Sequence, residues 1–98
     1  MSQHYLYPLF NPKAVAVFGA SERHNSIAGQ IVRNLLDGNF SGAIHPVNPK
    51  HESVFGQKCY PTTFSLPSRI DLAIIATPAA TVPGLIREIG DHGIRNAI

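Results

Sequence analysis

The stretch Ala14-Val15-Ala16-Val17-Phe18-Gly19-Ala20-Ser21 constrains the fold of this chain more than any other. Five apolar residues run without a polar interruption and stop at a glycine. A strand with one wet face alternates polar and apolar residues. An unbroken apolar run fits a strand buried on both faces, as in parallel sheets. The glycine and the two small residues after it permit a tight turn into a helix. Such a turn gathers backbone N–H groups and a helix N-terminus at one point, which is where phosphates bind in α/β proteins.

The rest of the chain continues this alternation. Ile27 to Leu36 reads as a helix: Ile27, Ile31 and Leu35 recur every four residues, and Val32 and Leu36 widen the stripe. Ser26 or Asn25 suits its N-cap, and Gly38 its stop. Ala43 to Val47 reads as the second strand. Val54 to Tyr60, with Phe55-Gly56-Gln57-Lys58, reads as a turn or small irregular excursion. Phe64 to Pro67 is a connector with room for one helical turn. Asp71 to Ala76 is the clearest buried strand, and Thr77-Pro78 ends it. Thr81 to Ile89 is a second helix, with Val82, Leu85, Ile86 and Ile89 as its apolar face and Pro83 in its first turn. Gly93 precedes a last strand beginning near Ile94. Upstream, Tyr5 to Pro12 is an apolar lead-in expected to pack its aromatics on the sheet edge. This order predicts an α/β, Rossmann-like fold with a doubly wound, mainly parallel sheet. The expectation is a single domain over residues 1–98, truncated within its last strand and forming the N-terminal fragment of a longer multidomain protein.

Composition narrows the partners. The chain has 98 residues, 44% of them hydrophobic and 14% charged, which suits one small folded domain. The net charge is only +2, and the basic residues are scattered. That argues against a nucleic-acid surface or an anionic-membrane surface. The single cysteine, Cys59, rules out an internal disulfide and fits a reducing compartment. It is expected as a small, half-buried hydrophobe. There is no basic segment followed by an apolar core at the N-terminus, and no apolar run nears the ~20 residues that span a bilayer. A cytoplasmic location is expected. The histidines lack metal-ligand spacing and nothing forms a Ser–His–Asp set, so no metal site and no catalytic group are expected. His24 lies in the candidate phosphate loop; His45 is expected to pack within its strand.

The loop after the first strand is a reduced glycine fingerprint: Gly19 suits the tight turn, Ala20 and Ser21 are small, and Gly29 lies in the helix where close packing needs a small residue. Asn48-Pro49-Lys50 follows the second strand. A site for NAD places an acid there to accept hydrogen bonds from the ribose diol. This chain carries no acid there but a lysine, which suits an additional ribose phosphate. NADP and coenzyme A both offer one, and Lys50 also reads as a solvated surface lysine. Thr77-Pro78-Ala79-Ala80 should lie beside the Gly19 turn and present an apolar ledge with one hydroxyl.

Taken in order, these segments resemble a known family. Leu9 to Ser21, Arg33-Asn34-Leu35-Leu36, Pro46 to Lys50, Leu66-Pro67 and Asp71 to Pro78 are similar to the CoA-binding domain of NDP-forming acyl-CoA synthetases. That family includes ADP-forming acetate–CoA ligases, relatives of the succinyl-CoA synthetase α subunit, and bacterial protein lysine acetyltransferases that fuse this module to a GNAT domain. The resemblance covers roughly residues 6–98. It implies a Rossmann-like domain that binds CoA through Gly19, Ala20, Ser21, Lys50, Ala76, Thr77 and Pro78, with Ser26 and Asn48 as weaker carry-overs. It further implies CoA or acyl-CoA as ligand, and downstream ligase domains or a partner subunit for the chemistry. The fragment alone would be inactive, and the alternatives are the CoA-binding domain of a GNAT-type protein lysine acetyltransferase or an NADP-binding oxidoreductase domain. Phe18 departs from the smaller aliphatic that the family usually has there.

Overall fold

The computed structural model describes residues 13–67, 69–94 and 96–98. The lead-in Tyr5 to Pro12 lies outside them. The elements are β1 (Ala14–Phe18), α1 (Ile27–Asp37), β2 (Ala43–Val47), β3 (Ser53–Val54), β4 (Gln57–Lys58), β5 (Leu72–Ile75) and α2 (Val82–His92). A 3-10 turn at Thr63–Ser65 sits between β4 and β5, and a second, Ala79–Thr81, leads into α2.

β1 is the central strand. It pairs in parallel with β2 on one side and β5 on the other, so the order is β2-β1-β5. Its alternate side chains divide between two cores. Ala14, Ala16 and Phe18 pack with Leu66, Ile70 and Ile89, on the α2 side. Val15 and Val17 pack with Ala28, Val32 and Ile44, on the α1 side. Every residue of β1 is therefore buried, which is why its sequence shows no polar alternation. The segment after α2 extends the sheet. Ala97 bridges Ala73 in parallel, and Ile98 donates its N–H to the Ala73 carbonyl at 2.9 Å. The fold is the expected Rossmann-like α/β arrangement, with one helix on each face.

The helices differ from the sequence reading in which residues they bury. Ile27 is 73% exposed, and Ala28, Gly29 and Val32 form the fully buried face of α1. The first turn of α1 lies too close to the preceding loop for a large side chain, so small residues face inward there. In α2, Ile86 is exposed while Ile89 carries the burial. The N-cap is Ser26, whose Oγ accepts the Gly29 N–H at 2.9 Å.

The excursion after β2 is a two-residue antiparallel hairpin. Phe55 and Gly56 both have positive φ, 49° and 80°, the backbone that a right-twisting hairpin turn requires. A phenylalanine rarely adopts it. Here the Phe55 N–H donates to the Glu22 carboxylate at 2.7 Å, and the Arg33 guanidinium lies 5.7 Å from the Phe55 ring centre. These two contacts hold the turn against the β1–α1 loop and against α1.

Candidate functional site

The C-terminal ends of β1, β2 and β5 open into one cleft of about 650 Å³. Ligands of open α/β sheets bind at this edge, where the strand order reverses. Gly19 contributes from β1, Asn48, Pro49 and Lys50 from beyond β2, and Ala76, Thr77 and Pro78 from beyond β5. Six of the nine residues expected from sequence thus meet in one cavity. The cleft also reaches places the sequence reading missed. Pro61, Thr62 and Thr63 line it from the connector after β4, Thr81 from the 3-10 turn before α2, and Leu85 and Glu88 from α2 itself.

Gly19 has φ +88°, and a Cβ there would stand 2.9 Å from the Ala76 carbonyl oxygen. The glycine lets β1 turn while the end of β5 stays close. Its own N–H is not free for a ligand, because it donates to the Val47 carbonyl at 2.9 Å. What Gly19 gives the cleft is an unhindered backbone surface.

Asn48 ties the two loops together. Its Nδ2 donates to the Ala20 carbonyl at 3.0 Å, and its Oδ1 accepts the Lys50 N–H at 2.9 Å. Its backbone N–H donates to the Tyr60 carbonyl at 2.9 Å. One side chain therefore sets the spacing between the β1 turn and the loop that carries Lys50. Lys50 is exposed at the rim. On the β5 side, the Thr81 hydroxyl has two acceptors at 2.7 Å, the Thr77 hydroxyl and the Pro78 carbonyl. When it donates to Thr77, the Thr77 proton is left for a ligand.

Ala20, Ser21 and Ser26 stand apart from the cleft. Ala20 is fully buried. Ser21 is buried too, and its Oγ accepts the Arg23 N–H at 3.3 Å. The Ser26 Oγ is taken up by capping α1. Ser26 and His24 border a smaller hollow of about 230 Å³. Gly29 works as sequence suggested, but against the loop rather than the sheet: a Cβ there would run into the Ser21 carbonyl oxygen.

Cys59 is buried beside this region, its Sγ 3.5 Å from the Asn48 carbonyl oxygen. Burial pushes its thiol pKa up, with backbone hydrogen bonds from Asn48 and Tyr60 opposing. That is the behaviour of a packing residue rather than of an activated nucleophile. His45 sits in β2 with its ring edge-on to Tyr60, centroids 5.5 Å apart, and burial lowers its pKa. Among the described residues no cluster of His, Cys, Asp and Glu is arranged to hold a metal ion, and no helix is long and apolar enough to cross a membrane.

Comparison with known proteins identifies the family of this domain. The ADP-forming acetate–CoA ligase I of Archaeoglobus fulgidus is 42% identical over 90 residues, covering 92% of this chain and 13% of the ligase. The α subunit of ADP-forming acetate–CoA ligase I of Pyrococcus furiosus is 38% identical over 94 residues, covering 92% of this chain and 20% of the subunit. A solved structure of the dinucleotide-forming acetyl-coenzyme A synthetase 1 of Ca. Korarchaeum cryptofilum, in complex with phosphate and ADP, matches with a TM-score of 0.90 at 42% identity. It covers 94% of this chain and 20% of that one. The chain thus spans a fifth or less of the length of these relatives. Residues 13–98 match the family model for a CoA binding domain, and the chain belongs to that family, whose domain it shares with ADP-forming acetate–CoA ligases.

Proposed function

We propose that this domain holds the 3′-phospho-ADP end of coenzyme A, or of an acyl-CoA, for an NDP-forming acyl-CoA synthetase. The observation that carries the reading is the meeting of Lys50, the bare Gly19 backbone and the Thr77-Pro78 ledge in one cleft at the strand ends. An ammonium at the rim attracts the ribose 3′-phosphate or the pyrophosphate as a point charge. The pyrophosphate passes over Gly19, where no side chain stands in its way. The prolines and Leu85 offer apolar surface to the adenosine, and Thr77 offers a hydroxyl. The pantetheine arm would leave the cleft toward a reacting centre outside this chain.

The relatives are several times longer than this chain, which supports its working as one domain of a longer cytoplasmic polypeptide or beside a partner subunit. Acid–thiol ligation, with ADP or GDP, belongs on this reading to that whole assembly.

Thermal-shift titration with CoA, dephospho-CoA, NADP and NAD tests the proposal. CoA at ~100 times its dissociation constant should stabilise the fold by about 2.7 kcal/mol, and dephospho-CoA should bind more weakly. Lys50→Ala should remove about 10-fold of the preference for CoA over dephospho-CoA, the scale of one charge-assisted contact. A clear shift with NADP and none with CoA would reverse the assignment. A preference that survives in Lys50→Ala would remove Lys50 from the phosphate site.

A further inference from the structure

Lys50 and Glu88 are the charged residues among the described residues lining the cleft. A carboxylate in a site for a polyanion is unfavourable unless it faces a part of the ligand that donates hydrogen bonds. Glu88 is held for such a task. The Thr63 hydroxyl, 1% exposed, donates to its Oε1 at 3.0 Å. This fixes the carboxylate and leaves its remaining lone pairs available.

Position decides which donor it meets. Thr81 is the N-cap residue of α2, and its hydroxyl bonds the Thr77 hydroxyl just beyond β5. Leu85 and Glu88 follow four and seven residues later, so Glu88 lies about 10 Å along the helix from Thr81. Leu85, Pro61 and Thr62 also line the cleft. The cleft therefore carries a cation beyond β2, an anion two turns along α2, and apolar surface. A nucleoside 3′-phosphate carries the matching groups: phosphate, flat apolar ring, exocyclic amine. Adenine carries an N–H donor at N6, where a 6-oxo purine carries an acceptor. The pantetheine amides also donate, but that arm must leave the cleft to reach a reaction partner.

Resting on the CoA reading above, we infer that Glu88, positioned by Thr63, accepts a hydrogen bond from the adenine 6-amino group and selects the base of the bound cofactor. The consequence is discrimination against 6-oxo purine nucleotides, whose O6 would face the carboxylate.

Isothermal titration of the 98-residue chain with three probes tests this: CoA, its hypoxanthine analogue, and adenosine 3′,5′-bisphosphate. The wild-type chain should bind CoA about 10-fold or more tightly than the hypoxanthine analogue, because a site built around a donor rejects a ligand that lacks it. Glu88→Gln can turn an amide N–H toward O6, so it should bring that ratio toward one or invert it. It should also weaken adenosine 3′,5′-bisphosphate. Equal binding of CoA and the analogue by the wild-type chain would overturn the inference without needing a variant. So would a Glu88→Gln that weakens CoA but leaves adenosine 3′,5′-bisphosphate untouched, since Glu88 would then face pantetheine. Absence of CoA binding altogether would instead remove the parent reading, and this one with it. Melting curves of Glu88→Gln report whether its fold is intact.

Discussion

The two faces of the sheet are built to different standards of closeness. On the α1 face the start of the helix is packed directly onto the β1–α1 loop. Gly29 abuts the Ser21 carbonyl, Ser26 caps the helix, and Ala20 is sealed beneath Asn48. On the α2 face the helix docks through Ile89 and through the Thr63–Glu88 hydrogen bond. Its glycines, Gly84 and Gly90, are exposed, and a Cβ added at either would meet nothing within 4 Å. The lesson is that the glycine of α1 fixes a close approach of helix and loop, whereas those of α2 fix none, and the cleft lies on the α2 side.

The sharpest way to break this contrast is Gly29→Ala. The new methyl would collide with backbone, which cannot rotate away as a side chain can, so the α1 turn must shift. Overpacking of this kind costs up to about 3 kcal/mol. For a domain of this size each kcal/mol lowers Tm by about 4–8 °C, and urea denaturation measures the loss directly. A Gly29→Ala that melts like the parent would show that the corner is loose after all.

The mirror experiment on the other face is Gly90→Ala. Gly90 is exposed within α2, and alanine there gains helix propensity without a clash. It should stabilise by roughly 0.5–1 kcal/mol. Opposite signs for the same substitution on the two helices would express the asymmetry in one pair of numbers; a loss at Gly90 would contradict it.

The smallest effect concerns pH. His45 faces the α2 side of β2, two residues before Val47 of that core. Burial lowers its pKa below the usual 6.5, so the folded state resists protonation more than the unfolded one. The unfolded chain takes up the proton first as pH falls. Stability should therefore be full above about pH 6.5 and decline as pH drops from there through the lowered folded value. His45→Gln should flatten that part of the profile of Tm against pH. An unchanged slope would assign the acid sensitivity to other groups.

How far the sequence disclosed this arrangement follows the same divide. β1 was legible because burial on both faces leaves an unbroken apolar run. α1 was legible as a helix, yet its inward face was misjudged at Ile27, since hydrophobicity alone does not reveal that a neighbouring loop admits only small residues. The rim of the cleft could be read because Gly19, Asn48-Pro49-Lys50 and Thr77-Pro78 follow strands directly. Its far end could not. Thr62, Thr63 and Glu88 come together through tertiary packing of a connector on α2, and a glutamate among polar helix positions looks like a solvated one. The spacing of Thr81, Leu85 and Glu88 was the one available signal.

Asn48 carries a chemical consequence of its neighbour. Asparagine ages by deamidation when the nitrogen of the next residue attacks its side-chain carbonyl and closes a cyclic imide. At Asn48 that nitrogen belongs to Pro49 and carries no hydrogen, so the ring cannot form by this route. The amide that joins Ala20 to Lys50 is protected against slow conversion to aspartate, which would replace its donor with negative charge beside Lys50.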